Sequence, residues 1–170
     1  MAALVRGMST SPSKVILRTT ERQEWLDLRR SRESPAMVQY EHPHRTVFTP
    51  LEDAAWWERT VVFGHFRVWT LLYGDDIAGF VNAFAFTHEP QRTCETGIVV
   101  FEPFQRQGVA TAAYQALLPL LRSELRIEQT WCGIHPDNQP SLRLFNSLGY
   151  RRDGTVSDPP IEWVKMTLTL

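Results

Sequence analysis

A polar, glycine-containing turn near the middle of the chain has residue types that suit binding of a phosphate group. The turn and the residues after it are Gln105, Arg106, Gln107, Gly108, Val109, Ala110 and Thr111. An apolar run precedes them and a long amphipathic stretch follows, so we expect a strand, a turn and a helix. The first N–H groups of a helix lack intrahelical partners and lie at its positive end, where they bind anions. Gly108 and Ala110 are small enough to let a diphosphate approach the backbone, and Arg106 would add positive charge. Taken alone, the segment is more often a structural turn before an amphipathic helix, and that interpretation stays open.

A second segment, about thirty residues further on, favours the functional interpretation. Its polar positions are Asn138 and Ser141, and it ends in Leu148-Gly149-Tyr150. We expect a short helix between them, with Gly149 just beyond its end. Asn138 then stands where a helix N-cap stands, so capping is the alternative to ligand binding, and one side chain could do both.

The spacing of apolar residues alternates between strand-like and helix-like along the chain, which is typical of a mixed α/β domain. The predicted order is strand, helix, helix, three strands, helix, strand, helix and two strands. Predicted strands cover 15–17, 66–73, 77–86, 92–101, 129–134, 150–155 and 161–170, and predicted helices cover 21–34, 50–61, 108–125 and 140–148. Pro119 is expected to interrupt the third helix.

Composition limits the class of protein. The chain has 170 residues, 18 of them basic and 19 acidic, so its formal net charge is −1. This balance argues against nucleic-acid binding by phosphate neutralisation, and no apolar run approaches the roughly 18 residues of a membrane span. The two cysteines, Cys94 and Cys132, are too few for a disulfide scaffold and lack zinc-site spacing, so we expect a cytoplasmic protein without a metal. Residues 1–13 have the composition of a disordered leader, and 14–170 that of a single domain.

Together, the two polar segments resemble the motifs of the GNAT (GCN5-related) family of N-acetyltransferases. Residues 105–110 are similar to the family's Gln/Arg-x-x-Gly-x-Gly/Ala motif, and Asn138 and Ser141, running into Leu148-Gly149-Tyr150, are similar to its second motif. The segments Cys94-Glu95-Thr96-Gly97 and Trp56-Trp57-Glu58 resemble the branch typified by ribosomal-protein N-terminal acetyltransferases, which also contains enzymes for small amines. The similarity covers about residues 14–170.

The resemblance implies an α/β (α+β) fold with a mixed, mostly antiparallel sheet of about seven strands, helices on both faces, and splayed fourth and fifth strands. Acetyl-CoA is the acyl donor that the resemblance implies, held in that gap. Its pantetheine arm would pair with the backbone of Ile98, Val99 and Val100, and its diphosphate with the N–H groups of residues 105–111. Further cofactor contacts are expected from Asn138, Ser141 and Phe145.

The reaction that the resemblance implies is direct acetyl transfer to an amine, which must first lose a proton. Glu95 is the expected base, because it lies on the strand leading to the cofactor; a surface glutamate paired with an arginine is the alternative. His88 and Glu89 are second choices, and His135 is more readily explained as a structural residue. The N–H group of Val100 is the expected donor to the developing oxyanion.

The residue that would protonate the leaving thiolate departs from the family pattern. Many members place a tyrosine where this chain has Phe145, and a phenyl ring cannot donate a proton. Ser141 is the expected substitute; otherwise the thiolate leaves unassisted. A route through an acetylated cysteine is disfavoured, because buried thiols usually serve packing.

The expected acceptor is a primary amine, either the α-amino group of a protein N-terminus or a small-molecule amine. It should enter near residues 31–50, 87–91 and 153–160. An acetyl-CoA-dependent N-acetyltransferase is the leading hypothesis. A non-catalytic acyl-CoA-binding or sensor module is the alternative, and O-acyl transfer to an alcohol is a third hypothesis. The resemblance also allows a homodimer.

Overall fold

Seven strands account for much of the part of the chain that the computed structural model describes, residues 15–31, 38–40 and 50–170. The strands are β1 (Val15–Thr19), β2 (Phe66–Tyr73), β3 (Asp76–Thr87), β4 (Thr93–Val100), β5 (Gln129–Ile134), β6 (Arg151–Asp158) and β7 (Ile161–Thr169). They form one sheet in the order β1-β2-β3-β4-β5-β7-β6. The β4–β5 pair is parallel and the other neighbours are antiparallel.

Within the described ranges, four α-helices and two shorter helical segments connect the strands. The α-helices are α1 (Arg22–Ser31), α2 (Pro50–Trp57), α3 (Val109–Ser123) and α4 (Gln139–Ser147). A π-helical turn, Glu58–Val62, extends α2 to the length predicted from its apolar spacing, and a 3₁₀ turn, Glu102–Phe104, precedes α3.

The prediction that Pro119 interrupts the third helix is wrong, since α3 runs through that residue without a break. Proline removes one N–H donor from the helix, at a cost of about 3 kcal/mol. Pro119 is exposed, so water can reach that side of the helix. Its neighbours Leu117 and Leu121 are fully buried, and burial of two such side chains stabilises the helix by about 1.5–3 kcal/mol each.

The two faces of the sheet carry different cores. On one face, α3 and α4 bring Tyr114 and Phe145 against Cys94 and Cys132 of the central strands. On the other, α1 and α2 contribute a tryptophan-rich cluster in which Trp25 and Trp57 pack on Phe80. Consecutive residues of a strand point to opposite faces, so each residue of β4 faces one core or the other.

The predicted fold class is confirmed, including the element order, the mostly antiparallel sheet and the helices on both faces. Residues 1–13, interpreted from sequence as a leader, lie outside the described residues, as does most of 31–50. The predicted loop over 153–160 is instead largely strand, because β6 extends to Asp158 and turns directly into β7. None of the described helices is long and apolar enough to cross a membrane.

Candidate active site

A gap opens between β4 and β5 because the two strands pair at only three positions. The pairs are Thr93–Gln129, Cys94–Thr130 and Glu95–Trp131. Beyond Glu95, β4 continues along β3 as far as Val100, whereas β5 continues along β7. The predicted splay of the fourth and fifth strands is therefore confirmed, and Glu95 lies where the strands part.

The edge of β4 that faces this gap presents backbone groups that β3 does not pair. In an antiparallel pair, alternate residues exchange both hydrogen bonds with the neighbouring strand, and the residues between them point away. The Phe101 N–H donates to the Ala78 carbonyl at 2.8 Å, which sets this alternation for the β3–β4 ladder. Ile98 and Val100 consequently direct their backbone groups into the gap, while the backbone of Val99 faces its register partner Phe80.

The turn after β4 places the N-terminus of α3 at the end of the gap. Gly108 occupies the N-cap position with φ +78°, a left-handed conformation that favours glycine. The first helical hydrogen bond runs from the Ala112 N–H to the Gly108 carbonyl at 3.0 Å, so the N–H groups of Val109, Ala110 and Thr111 precede the helical ladder. A β-carbon added to Gly108 would meet no atom within 4 Å, which leaves open space beside these N–H groups.

Two glutamine side chains hold this turn in place. The Gln105 Nε2 group donates to the Val100 carbonyl at 2.9 Å, and the Gln107 Nε2 group donates to the Pro103 carbonyl at 2.7 Å. Arg106 has a positive φ of 59° and is exposed. The turn thus links the end of β4 to α3 through side chains that the sequence motif had singled out for cofactor binding.

The second motif begins α4 on the far side of the gap. The Asn138 Oδ1 atom accepts a hydrogen bond from the Ser141 N–H at 3.2 Å, which makes Asn138 the N-cap. Phe145 is 4% exposed and packs edge-on against Tyr114 and Tyr150, with ring centroids 4.9 and 5.0 Å away. Its ring is a core element, and it provides no proton donor in this position.

Glu95 combines burial with a lack of charge compensation. Its register partners on the two neighbouring strands are Phe84 and Trp131, and it forms no ion pair with any residue that the structure describes. Burial raises the pKa of Glu95 from 4.5 to about 7, because desolvation disfavours the carboxylate. A group with this pKa is suited to accept a proton near neutral pH.

The cost of burying Glu95 leads to a prediction about stability. A folded pKa above the unfolded value means that stability falls as the pH rises from about 4.5 to about 7, and that the full cost remains above this range. Glu95→Gln removes the ionisation, so it should raise the free energy of unfolding at pH 8 by roughly 1–3 kcal/mol after allowance for partial solvation. Urea denaturation of both proteins measures this difference, which should shrink towards zero at pH 4. A variant of unchanged or lower stability at pH 8 would contradict the desolvation.

The other titratable residues considered from the sequence have different surroundings. Burial raises the pKa of the Cys94 thiol to about 11 and that of Cys132 further, so both remain protonated and weakly nucleophilic at neutral pH. The His135 Nδ1 atom accepts a hydrogen bond from the Asp137 N–H at 3.2 Å. His88 and Glu89 are exposed between β3 and β4.

Two residues of the neighbouring strands were not singled out from sequence: Trp131 of β5, the register partner of Glu95, and Lys165 of β7. Lys165 Nζ lies 5.7 Å from the centroid of the Trp131 ring and 3.5 Å from Asp153 Oδ2. Both are single residues in ordinary strands, and only the strand pairing brings Trp131 beside Glu95 and Lys165 over Trp131.

Comparison with known proteins gives the class to which this fold and gap belong. Residues 14–151 match the model of the acetyltransferase (GNAT) domain. The L-amino acid N-acetyltransferase AaaT of Escherichia coli is 21% identical over 149 residues, which are 84% of this chain and 86% of that protein. The chain therefore belongs to the GNAT acetyltransferase family.

Two solved structures show how closely the fold is shared. RimJ of Mycobacterium smegmatis, in complex with CoA-disulfide, superposes with a TM-score of 0.77 at 16% identity, covering 93% of this chain and 83% of that one. Spermidine N-acetyltransferase of Vibrio cholerae, in complex with CoA and spermine, gives a TM-score of 0.77 at 16% identity, covering 92% and 96%. At this level of identity, both likenesses concern the fold alone.

Proposed function

We propose that this chain transfers an acetyl group from acetyl-CoA directly to a primary amine, with Glu95 as the general base. The observation that carries the proposal is the position of Glu95 at the point where β4 and β5 separate. Its carboxyl is partly buried and has no cationic partner within the described part of the chain. Half of this group is ionised near pH 7, since burial raises its pKa to about 7. It can therefore take a proton from an ammonium group held beside it. An alkylammonium ion keeps this proton near neutral pH unless a base removes it.

The residues present fit acetyl-CoA. The edge of β4 offers the pantetheine arm the Ile98 carbonyl and the Val100 N–H, whereas the Val100 carbonyl already accepts a hydrogen bond from Gln105. Val99 contributes only its side chain. The N–H groups at the start of α3 and the open space beside Gly108 suit a diphosphate. Around that turn, the proposed cofactor contacts are Gln105, Arg106, Gln107, Gly108, Val109, Ala110 and Thr111.

The predicted oxyanion donor, the Val100 N–H, lies roughly 16 Å along β4 from Glu95, too far for both groups to act at one carbonyl. The Ile98 N–H also points into the gap and is nearer to Glu95, so it is the proposed donor to the oxygen that gains charge as the amine attacks. Phe145 cannot protonate the leaving thiolate. Ser141 lies in the first turn of α4, and its hydroxyl makes no hydrogen bond to a described residue, so it is the proposed proton donor. Asn138 is proposed to hold this helix end in place beside the pantetheine arm, and Phe145 to form the apolar wall of the site.

The names of the relatives support an amine acceptor. AaaT is named for L-amino acids, and the Vibrio cholerae enzyme for spermidine. We propose a protein N-terminal α-amino group or a small-molecule amine for this chain. The free, buried Cys94 and Cys132 are compatible with a reducing compartment, so the cytoplasm remains the proposed location, and a homodimer remains a prediction.

A thiol-release assay tests the proposed function. The protein and acetyl-CoA are mixed with amino acids, polyamines, N-terminal peptides and matched alcohols, and release of the CoA thiol is followed together with the mass of the acetylated product. We expect turnover with at least one class of amine. Tight binding of acetyl-CoA without turnover on any acceptor would instead favour a non-catalytic binding module, which the replacement of tyrosine by Phe145 makes the second candidate.

A further inference from the structure

Lys165 gives the amine side of the gap a positive charge that the proposed reaction does not use. Glu95 pairs in register with Trp131, and the next strand outward is β7, where Lys165 is the register partner of Gly133. Directly paired residues point to the same face, and Lys165 Nζ lies over the Trp131 ring at 5.7 Å. The base, the indole ring and the ammonium therefore follow one another across three neighbouring strands on one face.

The ion pair with Asp153 shows that the Lys165 ammonium can bind a carboxylate. The Asp153 Oδ2 atom lies 3.5 Å from Lys165 Nζ, and the two side chains are 58% and 32% exposed. Ion pairs as exposed as this one are worth at most about 1 kcal/mol. The pair is thus easily exchanged, and an ammonium group has three donors, so a second anion can approach from the side of Trp131.

We propose that Lys165 forms an anion subsite for the acceptor, and that the preferred acceptors are amines carrying a carboxylate or similar anion several bonds from the nitrogen. The inference rests on the proposed function, since Glu95 defines where the amine lies. Neighbouring strands are roughly 4.8 Å apart, and Lys165 leans back over Trp131. The amine and the anion are therefore separated by roughly 6–10 Å, with the apolar chain between them on the indole ring. A second cation in the acceptor would meet Lys165 and be disfavoured.

A series of small acceptors tests this arrangement. The substrates are 6-aminohexanoate, hexylamine and 1,6-diaminohexane, which differ only in the group at the far end, together with glycine, whose carboxylate is too close to the nitrogen. We expect kcat/KM to be highest for 6-aminohexanoate and lowest for 1,6-diaminohexane. Peptides that begin Ala-Glu and Ala-Gln form a second arm, which distinguishes a peptide source of the anion from a free amino acid.

Variants at Lys165 and Asp153 should change the preference in opposite directions. Lys165→Met should lower the ratio of kcat/KM for 6-aminohexanoate over hexylamine by about tenfold to a hundredfold, as expected for loss of a charge-assisted hydrogen bond. Lys165→Arg should restore most of it, and Asp153→Asn should raise it by removing the competing carboxylate. The matched control is Arg152→Gln, because Arg152 pairs with Met166 and so points to the opposite face.

The outcomes separate this inference from the proposed function. Acetylation of 6-aminohexanoate and hexylamine at equal efficiency, or a ratio that Lys165→Met leaves unchanged, would overturn the anion subsite while the acetyltransferase activity stands. Absence of acetylation for every amine in the wider panel would overturn the proposed function, and the subsite with it.

Discussion

Glu95→Gln is expected to lower kcat/KM for the best amine acceptor by about 10²–10⁴-fold at pH 8, the usual contribution of a positioned general base. Glutamine fills the same space between Phe84 and Trp131 but cannot take a proton. In the wild-type protein, kcat/KM should rise as the pH increases through about 7, because the base becomes ionised over that range. The variant should lack this rise, and a pH–rate profile of both proteins measures the difference.

Two further variants make the Glu95 result specific. Glu124→Gln, an exposed glutamate just after α3, is the matched control and should leave the profile unchanged. Glu95→Asp keeps a carboxylate but withdraws it by one methylene, so its rate should fall between the other two. Acetyl-CoA affinity, measured by calorimetry, should be similar for wild type and Glu95→Gln. An inflection near pH 7 that persists in Glu95→Gln would assign the base to another group.

Gly108→Asp is expected to weaken acetyl-CoA binding by about a hundredfold or more. The substitution places a carboxylate in the open space beside the first N–H groups of α3, where the diphosphate is proposed to lie, and like charges repel strongly at so short a distance. It also strains the left-handed backbone, since φ is +78°. Calorimetric titration of acetyl-CoA into the folded variant measures the loss.

Backbone strain and charge are separated by two controls. Gly108→Ala carries the same strain without the charge, so it should lose much less affinity than Gly108→Asp. Gly154→Asp places the same residue at φ +83° with equally open space, but on the outer strand β6, and it should bind acetyl-CoA as the wild type does. Equal losses in Gly108→Ala and Gly108→Asp would indicate that the turn conformation, and not the diphosphate, explains the effect.

The burial of Glu95 affects both the activity and the stability of the protein. The burial that tunes its pKa for proton transfer costs stability when the group ionises, so the same substitution should strengthen the fold and abolish most of the activity. Such opposition is common where a site needs a group that the fold does not favour. An exposed glutamate paired with an arginine, the alternative left open from sequence, would show neither effect.

Local sequence signals predicted most elements of this protein. The spacing of apolar and turn residues predicted β2 and β5 with their observed bounds, and the other strands to within a few residues. The glycine at 108 and the asparagine at 138 predicted the starts of α3 and α4, since caps and left-handed turns depend on a few neighbouring residues. Pro119 was misjudged because buried leucines on either side outweigh the lost hydrogen bond.

The sequence by itself determined the family, the order of elements and the two motifs, all of which follow from short-range spacing. Only the tertiary structure decided that β4 leaves β5 after Glu95 and that Ile98 and Val100 rather than Val99 direct their backbone groups into the gap. It also decided that Lys165 lies over Trp131, the register partner of Glu95. These features depend on pairing between strands far apart in the chain. The pKa of Glu95 likewise depends on burial that neighbouring strands and packed helices create together.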